Sequence, residues 1–476
     1  MDLAAPAAPV RHRRSIPLIV ACALFMESLD STVIATALPT IAADLGQNPL
    51  HLSLAISSYL FSLAVFIPIS GWLADRLGAR TVLMGGIAVF TLGSIACGLA
   101  GSLAGFVVAR VLQGLGGAMM TPVGRLVLLR SIAKTELVGA MAWMTVPALV
   151  GPLVGPPLGG LITTYADWRW IFWLNVPIGV AGILLVLRFI PNLQGRATAA
   201  FDLPGFLLLA AGLLAAVAAF EAIGRHVLPP SGILGLAAVA LVLLGGYVAW
   251  ARRTPAPVLD LSLLRIATFR AAVLGGFLFR IGIGSIPILL PLMLQLGFGF
   301  TAFHSGLLTF AATAGALTMK LTAAPIIRRF GFRPVLVWNA LLSGLCLAAI
   351  GLFGPTTPWW LVMGVLLVGG FFRSLQFTAV NTMGYADVAD DRMSRATSFA
   401  SVGQQLSLSV GAATGALLLQ TTLLLRGETV PAADSFLLPF VAVAVIGTAS
   451  ALVFAGLPKD AGAEVSGKRL APRPRA

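Results

Sequence analysis

Charged residues are scarce in this sequence. Asp, Glu, Lys and Arg make up 10% of its 476 residues, whereas 58% are hydrophobic. Soluble domains carry about 25% charged residues, so the composition excludes a soluble protein. It fits a helical protein that crosses a membrane many times. The 52 glycines and 29 prolines agree, because packed membrane helices tolerate both.

Cysteine and histidine are rare as well. The three cysteines all lie in apolar stretches, which favours packing roles and predicts neither a disulfide nor a metal framework. The four histidines lie in termini, in loops or at the edges of apolar stretches. Since the sequence also shows no nucleophile motif and no nucleotide-binding loop, we expect neither an enzyme nor ATP-driven transport, and no cofactor.

Fourteen apolar stretches are long enough to cross a bilayer as helices, which takes about 20 residues. We number them spans 1 to 14. They are predicted at 16–38, 51–73, 81–101, 104–129, 137–162, 170–190, 203–223, 231–250, 269–296, 304–324, 335–353, 359–383, 396–422 and 434–457. The expected fold class is an all-α membrane protein.

Basic residues mark one side of this predicted bundle. Of the 31 lysines and arginines, 23 lie in the N-terminus, in alternate loops or in the tail on that side, and three lie on the other. The positive-inside rule therefore predicts a multi-pass protein of the cytoplasmic membrane with both termini in the cytoplasm. Because topology accounts for the net charge of +14, no nucleic acid is expected as a partner.

A weak internal repeat divides the chain. In residues 71–80 after span 2 and 324–333 after span 10, an apolar helix ends, a basic residue precedes a glycine, and another arginine follows. The predicted domains are two six-helix bundles, two inserted spans with a cytoplasmic linker, and a disordered basic cytoplasmic tail (1–195, 266–458, 196–265 and 459–476, respectively). In transporters with such halves the site lies between them at mid-bilayer.

Span 1 carries two carboxylates near its middle, Glu27 and Asp30. They are three residues apart and therefore share one face of a helix. An ionisable group at that depth costs about 2.5–3.5 kcal/mol, so such groups face a bundle interior or a wet cavity and mark an ion or substrate path. The alternative is a structural carboxylate paired with a buried arginine.

Five motifs occur in order within spans 1 to 6. They are Leu29-Asp-Ser-Thr-Val-Ile-Ala-Thr-Ala-Leu-Pro39, Gly71-Trp-Leu-Ala-Asp-Arg-Leu-Gly-Ala-Arg80, Arg110-Val-Leu-Gln-Gly-Leu-Gly-Gly-Ala118, Gly151-Pro-Leu-Val-Gly-Pro-Pro-Leu-Gly-Gly160 and Trp168-Arg-Trp-Ile-Phe-Trp-Leu-Asn-Val-Pro-Ile-Gly179. In this order and spacing they resemble motifs of the major facilitator superfamily, specifically its fourteen-helix drug/proton antiporters. The resemblance covers nearly the whole chain, although Ala79 stands where a basic residue is usual.

This resemblance implies the major facilitator fold, with two six-helix bundles plus two extra central helices. It implies proton-coupled multidrug efflux by alternating access, with protons as the coupling ion and Asp30 and Arg110 as the proton-coupling pair. A nearby guanidinium keeps a buried carboxylate ionised, whereas apolar burial favours its protonated form, so it can exchange a proton as hydration changes. Glu27 departs from many relatives, and either recognises a cationic substrate or serves as a second proton site.

Two motifs are predicted to take part in the conformational switch. At the end of span 2, Asp75, Arg76 and Arg80 can cap a neighbouring helix or form ion pairs that break when the halves rock, and a static loop salt bridge is the alternative. The span 5 series bends its helix or permits close packing (Gly151, Pro152, Gly155, Pro156 and Gly159). Resemblance adds that this series separates antiporters from symporters.

The second half carries arginines at mid-span, Arg280 and Arg373, without a mid-span carboxylate. They either cap backbone carbonyls or offer positive charge to an anionic substrate. Arg125 and Lys320 lie nearer the span ends and are expected to extend towards the surface.

The expected substrate-binding residues are those with a charged or amide side chain inside the spans (Glu27, Gln113, Arg280, Arg373 and Gln376). We expect a monomer in the lipid bilayer that binds a small molecule. Efflux of amphipathic drugs is the first expectation. Export of organic anions such as polycarboxylates, or proton-coupled import, are the alternatives.

Overall fold

The computed structural model describes residues 15–47, 49–191, 200–225, 228–428 and 431–466, and within these ranges the chain contains helices but no strand. Nine spans are single helices: Ser15–Asp44, Ala79–Leu99, Leu103–Ser131, Leu203–Arg225, Pro230–Ala251, Ala302–Phe330, Phe332–Ile350, Trp359–Met383 and Met393–Arg426 are spans 1, 3, 4, 7, 8, 10, 11, 12 and 13. The expected all-α fold class is confirmed.

The other five spans are interrupted. Span 2 is Pro49–Phe66 and Ser70–Leu77 around a 3₁₀ turn, span 5 is Leu137–Met144 and Val146–Tyr165, span 6 is Trp170–Trp173 and Asn175–Phe189, span 9 is Ala267–Leu292 followed by a π-turn at Met293–Gly297, and span 14 is Leu437–Thr448 and Ser450–Ala455. Within the described ranges, thirteen spans are long and apolar enough to cross a membrane. Span 5, broken at Thr145, is the fourteenth, so the structure is consistent with the predicted number.

The internal repeat has a structural counterpart in two one-residue turns. Gly78 joins spans 2 and 3 with φ +89°, and Gly331 joins spans 10 and 11 with φ +82°. A residue with a side chain rarely adopts such φ values, so glycine is required where two helices reverse direction within one residue. The basic residues around both glycines therefore lie at the same end of the molecule.

The contacts between helices repeat in the same way, with each span of the first half matched by the span eight places later. Span 4 packs against spans 2 and 3, and span 1 against span 5; span 12 packs against spans 10 and 11, and span 9 against span 13. Each set of six spans thus forms its own bundle, which we call the N bundle (spans 1–6) and the C bundle (spans 9–14). We call the end where span 1 begins the basic end.

Spans 7 and 8 form a hairpin outside the two bundles. Span 7 contacts span 2 and span 13, one from each bundle, whereas span 8 packs mainly against span 7. Of span 8, the structure buries Ala240, Tyr247 and Ala251. Its other side chains are half-buried or exposed, and Leu244 among them packs against span 7.

The connections of this hairpin are fixed at the basic end. Asp202 accepts from the Gly205 amide at the start of span 7 and from Trp250 Nε1 at 2.9 Å. In the linker, Asp260 accepts from Arg392 at 2.9 Å, before span 13. Partial burial opposes ionisation of Asp260, but hydrogen bonds from Ser262 and Arg392 and the arginine charge outweigh it and lower its pKa.

Part of the predicted disordered tail is structured. Residues 463–466 form a short helix in which Val465 and Ser466 are buried, and Glu464 pairs with Lys134 at 3.0 Å in the loop between spans 4 and 5. The first residues of the tail therefore contact both bundles, because Gly462 lies against Phe332 of span 11. Residues 467–476 lie outside the described residues.

Candidate functional site

A buried polar network occupies the centre of the N bundle. Arg110 donates through one NH1 group to Asp30 Oδ2 and to Gln113 Oε1, both at 2.6 Å. Gln113 Nε2 donates to Asp30 Oδ1 at 2.8 Å. Asp30 is 2% exposed, and Arg110 and Gln113 are 0% exposed. Since arginine and glutamine lie three residues apart on span 4, one helix face presents both to the carboxylate.

Three further spans complete this network. Asn175 of span 6 donates to Asp30 Oδ1 at 3.4 Å and to Ser94 of span 3 at 2.9 Å. From span 2, the carbonyl of Ala55 accepts from Arg110 Nε at 3.3 Å, and the Tyr59 ring lies 4.5 Å from the guanidinium carbon. Both oxygens of Asp30 thus accept hydrogen bonds, and the carboxylate is shielded from water.

Glu27 lies one turn from Asp30 but has a different environment. It is half-buried, and its Oε2 accepts from Thr121 of span 4 at 2.7 Å. Among the described residues no basic group forms an ion pair with Glu27. The two carboxylates of span 1 therefore differ: Asp30 is fully paired, whereas Glu27 keeps acceptor capacity for another ligand.

The glycines of span 5 lie against span 1 beside these carboxylates. A Cβ on Gly151 would lie 2.8 Å from Ser28 Cβ and 2.9 Å from the backbone nitrogen of Leu29. A Cβ on Gly155 would collide with the Thr32 side chain. Close packing, one of the two predicted roles of this series, thus applies to both glycines. Gly159 is buried, and the side chains of Pro152 and Pro156 lie outside the described residues.

Replacement of Gly151 by alanine is expected to push span 5 away from span 1. Overpacking of this kind costs about 1–3 kcal/mol, so the thermal unfolding midpoint of the purified protein should fall. Gly160→Ala on the same helix is the matched control, because nothing lies within 4 Å of its Cβ position. Alanine there gains helix propensity, so an equal loss of stability in both variants would contradict the packing role.

Of the predicted switch residues in the loop after span 2, Asp75 contacts both bundles. Asp75 Oδ1 accepts from Arg130 of span 4 at 3.1 Å, and its Oδ2 accepts from Ser394 at the start of span 13. Arg76 lies over the Trp72 ring, and Arg80 Nε is buried with no hydrogen-bond partner within the described ranges. The carboxylate therefore bonds across the bundles through Ser394, whereas its ion pair with Arg130 lies within the N bundle.

Two basic side chains bridge the bundles deeper in the molecule. Arg125 donates to the Tyr385 hydroxyl at 3.1 Å and to Gln404 Oε1 at 3.3 Å. Lys320 donates to Thr145, at the break in span 5, at 2.6 Å. Both cations are buried, so the expectation that they extend to the surface is wrong. Partners on the opposite bundle hold them inside and seal the basic half of the molecule.

The remaining predicted residues lie within the C bundle. Arg280 is buried and donates to Asn381 at 3.0 Å, while its Nε lacks a hydrogen-bond partner within the described ranges. Arg373 lies beside a small cavity among spans 9, 11, 12 and 14. Gln376 is buried, and its amide donates to the backbone carbonyl of Leu336 at 3.1 Å. None of the three pairs with a carboxylate in the described part of the chain.

Sequence reasoning missed the contributions of Ser94 and Asn175 to the network, although Asn175 is part of the quoted span 6 motif. It also missed a repeat between the bundles: Arg110-Val-Leu-Gln113 in span 4 matches Arg373-Ser-Leu-Gln376 in span 12. The carboxylate that completes the first set has no described counterpart beside the second. The C bundle thus keeps the arginine and the amide without the acid.

Comparison with known proteins identifies the family. The model of the Major Facilitator Superfamily matches residues 20–272 and 272–476. The chain belongs to the major facilitator superfamily. Its relatives include proteins called "Putative multidrug resistance protein MdtD", from Salmonella dublin at 39% identity over 452 residues and from Escherichia coli at 40% over 451 residues. Each alignment covers 93% of this chain and 94% of the relative.

Solved structures of this superfamily share the fold. The proton:xylose symporter XylE aligns with a TM-score of 0.66 at 16% identity, over 95% of this chain and 97% of that chain. The predicted family and fold are thereby confirmed. The protein is a multi-pass membrane protein of a superfamily whose transporters bind small molecules within the membrane, and its network around Asp30 lies inside the N bundle.

Proposed function

We propose that this major facilitator protein exports small amphipathic compounds or drugs in exchange for protons. The observation that carries the proposal is the fully buried ion pair between Asp30 and Arg110 in a chain about 40% identical to multidrug resistance proteins. A carboxylate that ionises inside a membrane bundle marks an ion path. No enzymatic step or cofactor enters the proposal, and the working unit is a monomer.

The proton is held by the carboxylate of Asp30. In the described conformation Arg110 and Gln113 donate to this carboxylate. When the carboxylate is protonated, one Oδ carries a hydrogen and the negative charge that holds the guanidinium is lost. The contact between Asp30 and Arg110 NH1 then weakens. Span 1 shifts against span 5, where Gly151 packs on its backbone, and this movement carries the change to the interface between the bundles.

Substrate binds between the bundles in this proposal. Glu27 has acceptor capacity for a cationic or hydrogen-bonding compound. Because Glu27 and Asp30 lie on one helix, protonation of one shifts the segment that carries the other. Substrate release and proton uptake are thereby linked, which gives antiport.

Orientation follows from the basic residues. With the basic end in the cytoplasm, the contacts of Asp75, Arg125 and Lys320 close the cytoplasmic side, and the described conformation is the one that follows substrate expulsion. A cysteine placed at Leu228, between spans 7 and 8, should react with an impermeant maleimide added to intact cells. A reporter fused after Ala476 should be active only in the cytoplasm, and an external C-terminus would overturn this orientation.

Export is tested in everted membrane vesicles with an acidic interior. A fluorescent lipophilic cation added outside should accumulate inside vesicles that contain the protein, and a protonophore should abolish the accumulation. Vesicles without the protein provide the background. Accumulation that persists after the proton gradient collapses, or equal accumulation without the protein, would refute proton-driven export.

A second candidate function is export of organic anions. It is favoured by the buried Arg280, Lys320 and the mid-span Arg373, which have no carboxylate partner in the described part of the chain. Unpaired buried charges are costly, so an anionic substrate would stabilise them. In the same vesicles, export of organic anions would be supported if a polycarboxylate is taken up in a proton-driven manner and if this uptake is lost in Arg280→Gln and in Arg373→Gln. Cation uptake unchanged by both variants would leave drug export as the function.

A further inference from the structure

A small cavity lies between spans 9, 12 and 13, beside the contact that closes the basic end. Its volume is about 20 Å³, and its lining includes Arg280, Asn381 and Tyr385. One water molecule needs roughly 10–15 Å³ by this measure, so the space admits a single small species and excludes an organic substrate. In the described conformation an organic substrate therefore does not reach the polar groups of this cavity.

Positive charge converges on this cavity. Arg280 is 5% exposed and Arg125 is 3% exposed. Tyr385 lines the cavity and its hydroxyl accepts from Arg125 NH1 at 3.1 Å, so one residue connects the cavity to a second guanidinium. The Nε atoms of both arginines are buried without a hydrogen-bond partner in the described ranges.

The Arg280 guanidinium lies beside the cavity and close to the backbone of its own helix. Side chains on a helix point towards its N-terminus, which here is the basic end. One turn earlier lies Gly276, where a Cβ would be 2.8 Å from Arg280 NH1. The absence of a side chain at Gly276 leaves room for the guanidinium beside the cavity, at the level of the closing contacts.

Compensating negative charge is missing from the lining. All partners of the two guanidinium groups are neutral: Asn381 for Arg280, and Tyr385 and Gln404 for Arg125. The three carboxylates in the loop after span 12, Asp387, Asp390 and Asp391, are exposed, and Asp387 accepts from Thr268 at 2.8 Å. Burial of two cations without a counter-charge is unfavourable, and a water molecule would supply hydrogen bonds but no charge.

We propose that this cavity binds one chloride-sized monovalent anion, held by the Arg280 guanidinium, the Asn381 amide and the Tyr385 hydroxyl in the field of Arg125. The binding groups come from the C bundle, whereas Arg125 belongs to the N bundle. The anion is therefore bound most tightly when the basic end is closed. By linkage, chloride stabilises the closed conformation, and opening of that end weakens its binding.

Radiolabelled chloride binding to the purified full-length protein tests this site, at constant ionic strength maintained with gluconate. Saturable binding is expected in the wild type. Arg280→Gln should weaken it at least tenfold, and Tyr385→Phe, which removes one hydroxyl, should weaken it severalfold. Arg373→Gln is the matched control, because this mid-span arginine lines a different cavity and its loss should leave chloride affinity unchanged.

A second measurement uses the wild type alone and does not depend on the folding of a variant. Replacing gluconate by chloride should raise its thermal unfolding midpoint with saturation, since a ligand of the folded state stabilises it. Absence of saturable chloride binding in the wild type would mean that the cavity holds only water and would overturn the proposal. Equal chloride affinity in wild type, Arg280→Gln and Tyr385→Phe would also overturn it.

Discussion

Asp30→Asn is expected to abolish proton-driven export while the protein still inserts into the membrane, although the variant leaves the buried Arg110 without its counter-charge and therefore lowers stability. Asparagine keeps the size of the side chain and still accepts through its carbonyl oxygen from Arg110 or Gln113, but it cannot gain or lose a proton. Uptake of the lipophilic cation into everted vesicles should therefore fall to the level without a pH gradient. A drop of at least ~100-fold in the coupled rate is expected, because a removed proton-transfer group typically costs 10²–10⁴-fold.

Asp44→Asn is the matched control on the same helix. Asp44 lies at the other end of span 1, where its half-exposed carboxylate accepts from Arg169 at 2.9 Å. A surface ion pair of this kind contributes about 0–1 kcal/mol, so coupled transport should persist. If Asp30→Asn vesicles transported at the wild-type rate with a pH gradient, Asp30 would be a structural residue, and Glu27 would become the candidate proton carrier.

The largest effect on stability is expected from Arg110→Met. The variant removes the guanidinium but leaves Asp30 without its ion-pair partner inside the bundle, and the Ala55 carbonyl without its donor. Breaking a buried pair from one side costs about 3–5 kcal/mol, because an uncompensated charge remains. The expected results are a much lower unfolding midpoint and a reduced amount of protein in the membrane.

A double variant separates charge from packing. Adding Asp30→Asn to Arg110→Met removes the charge that has no partner. The double variant should therefore be more stable than Arg110→Met alone, although it carries one more substitution. The double-mutant cycle then reports the coupling between the two side chains. Strictly additive losses would contradict the ion pair as the stabilising contact of this network.

The span pattern was predictable from the sequence because each crossing helix needs an apolar run of fixed length, and the basic loops set their order. Glycine at positions 78 and 331 likewise marked in the sequence where the helices of spans 2 and 10 end. The breaks within spans were harder to predict. Span 5 breaks at Thr145, two residues before Pro147, which lies in the first turn of the second segment and has no N–H for the preceding turn. The contact of Thr145 with Lys320 on the opposite bundle could not be read from the sequence.

Pairing inside the site was partly predictable. Asp30 and Arg110 carry opposite charges inside apolar spans, where an unpaired charge is unfavourable. The structure pairs the two side chains. The positions of Ser94 and Asn175 depend on how spans 3 and 6 rotate about their axes, which hydrophobic periodicity does not define when a helix is apolar on all sides. Arg125 and Lys320 were misplaced for a related reason, since their partners lie on the other bundle and have no sequence proximity to them.

The most direct test of the account is a measurement of proton release when drug binds to the purified protein in weakly buffered solution, followed with a pH indicator between about pH 5 and 9. If the Asp30 carboxylate exchanges its proton for substrate, drug affinity must fall as the pH falls, and binding must release protons wherever the unliganded site is protonated. We expect release by the wild type and none by Asp30→Asn at matched drug occupancy. Equal release by both proteins, or drug binding to the wild type without release at any pH, would contradict proton exchange at Asp30.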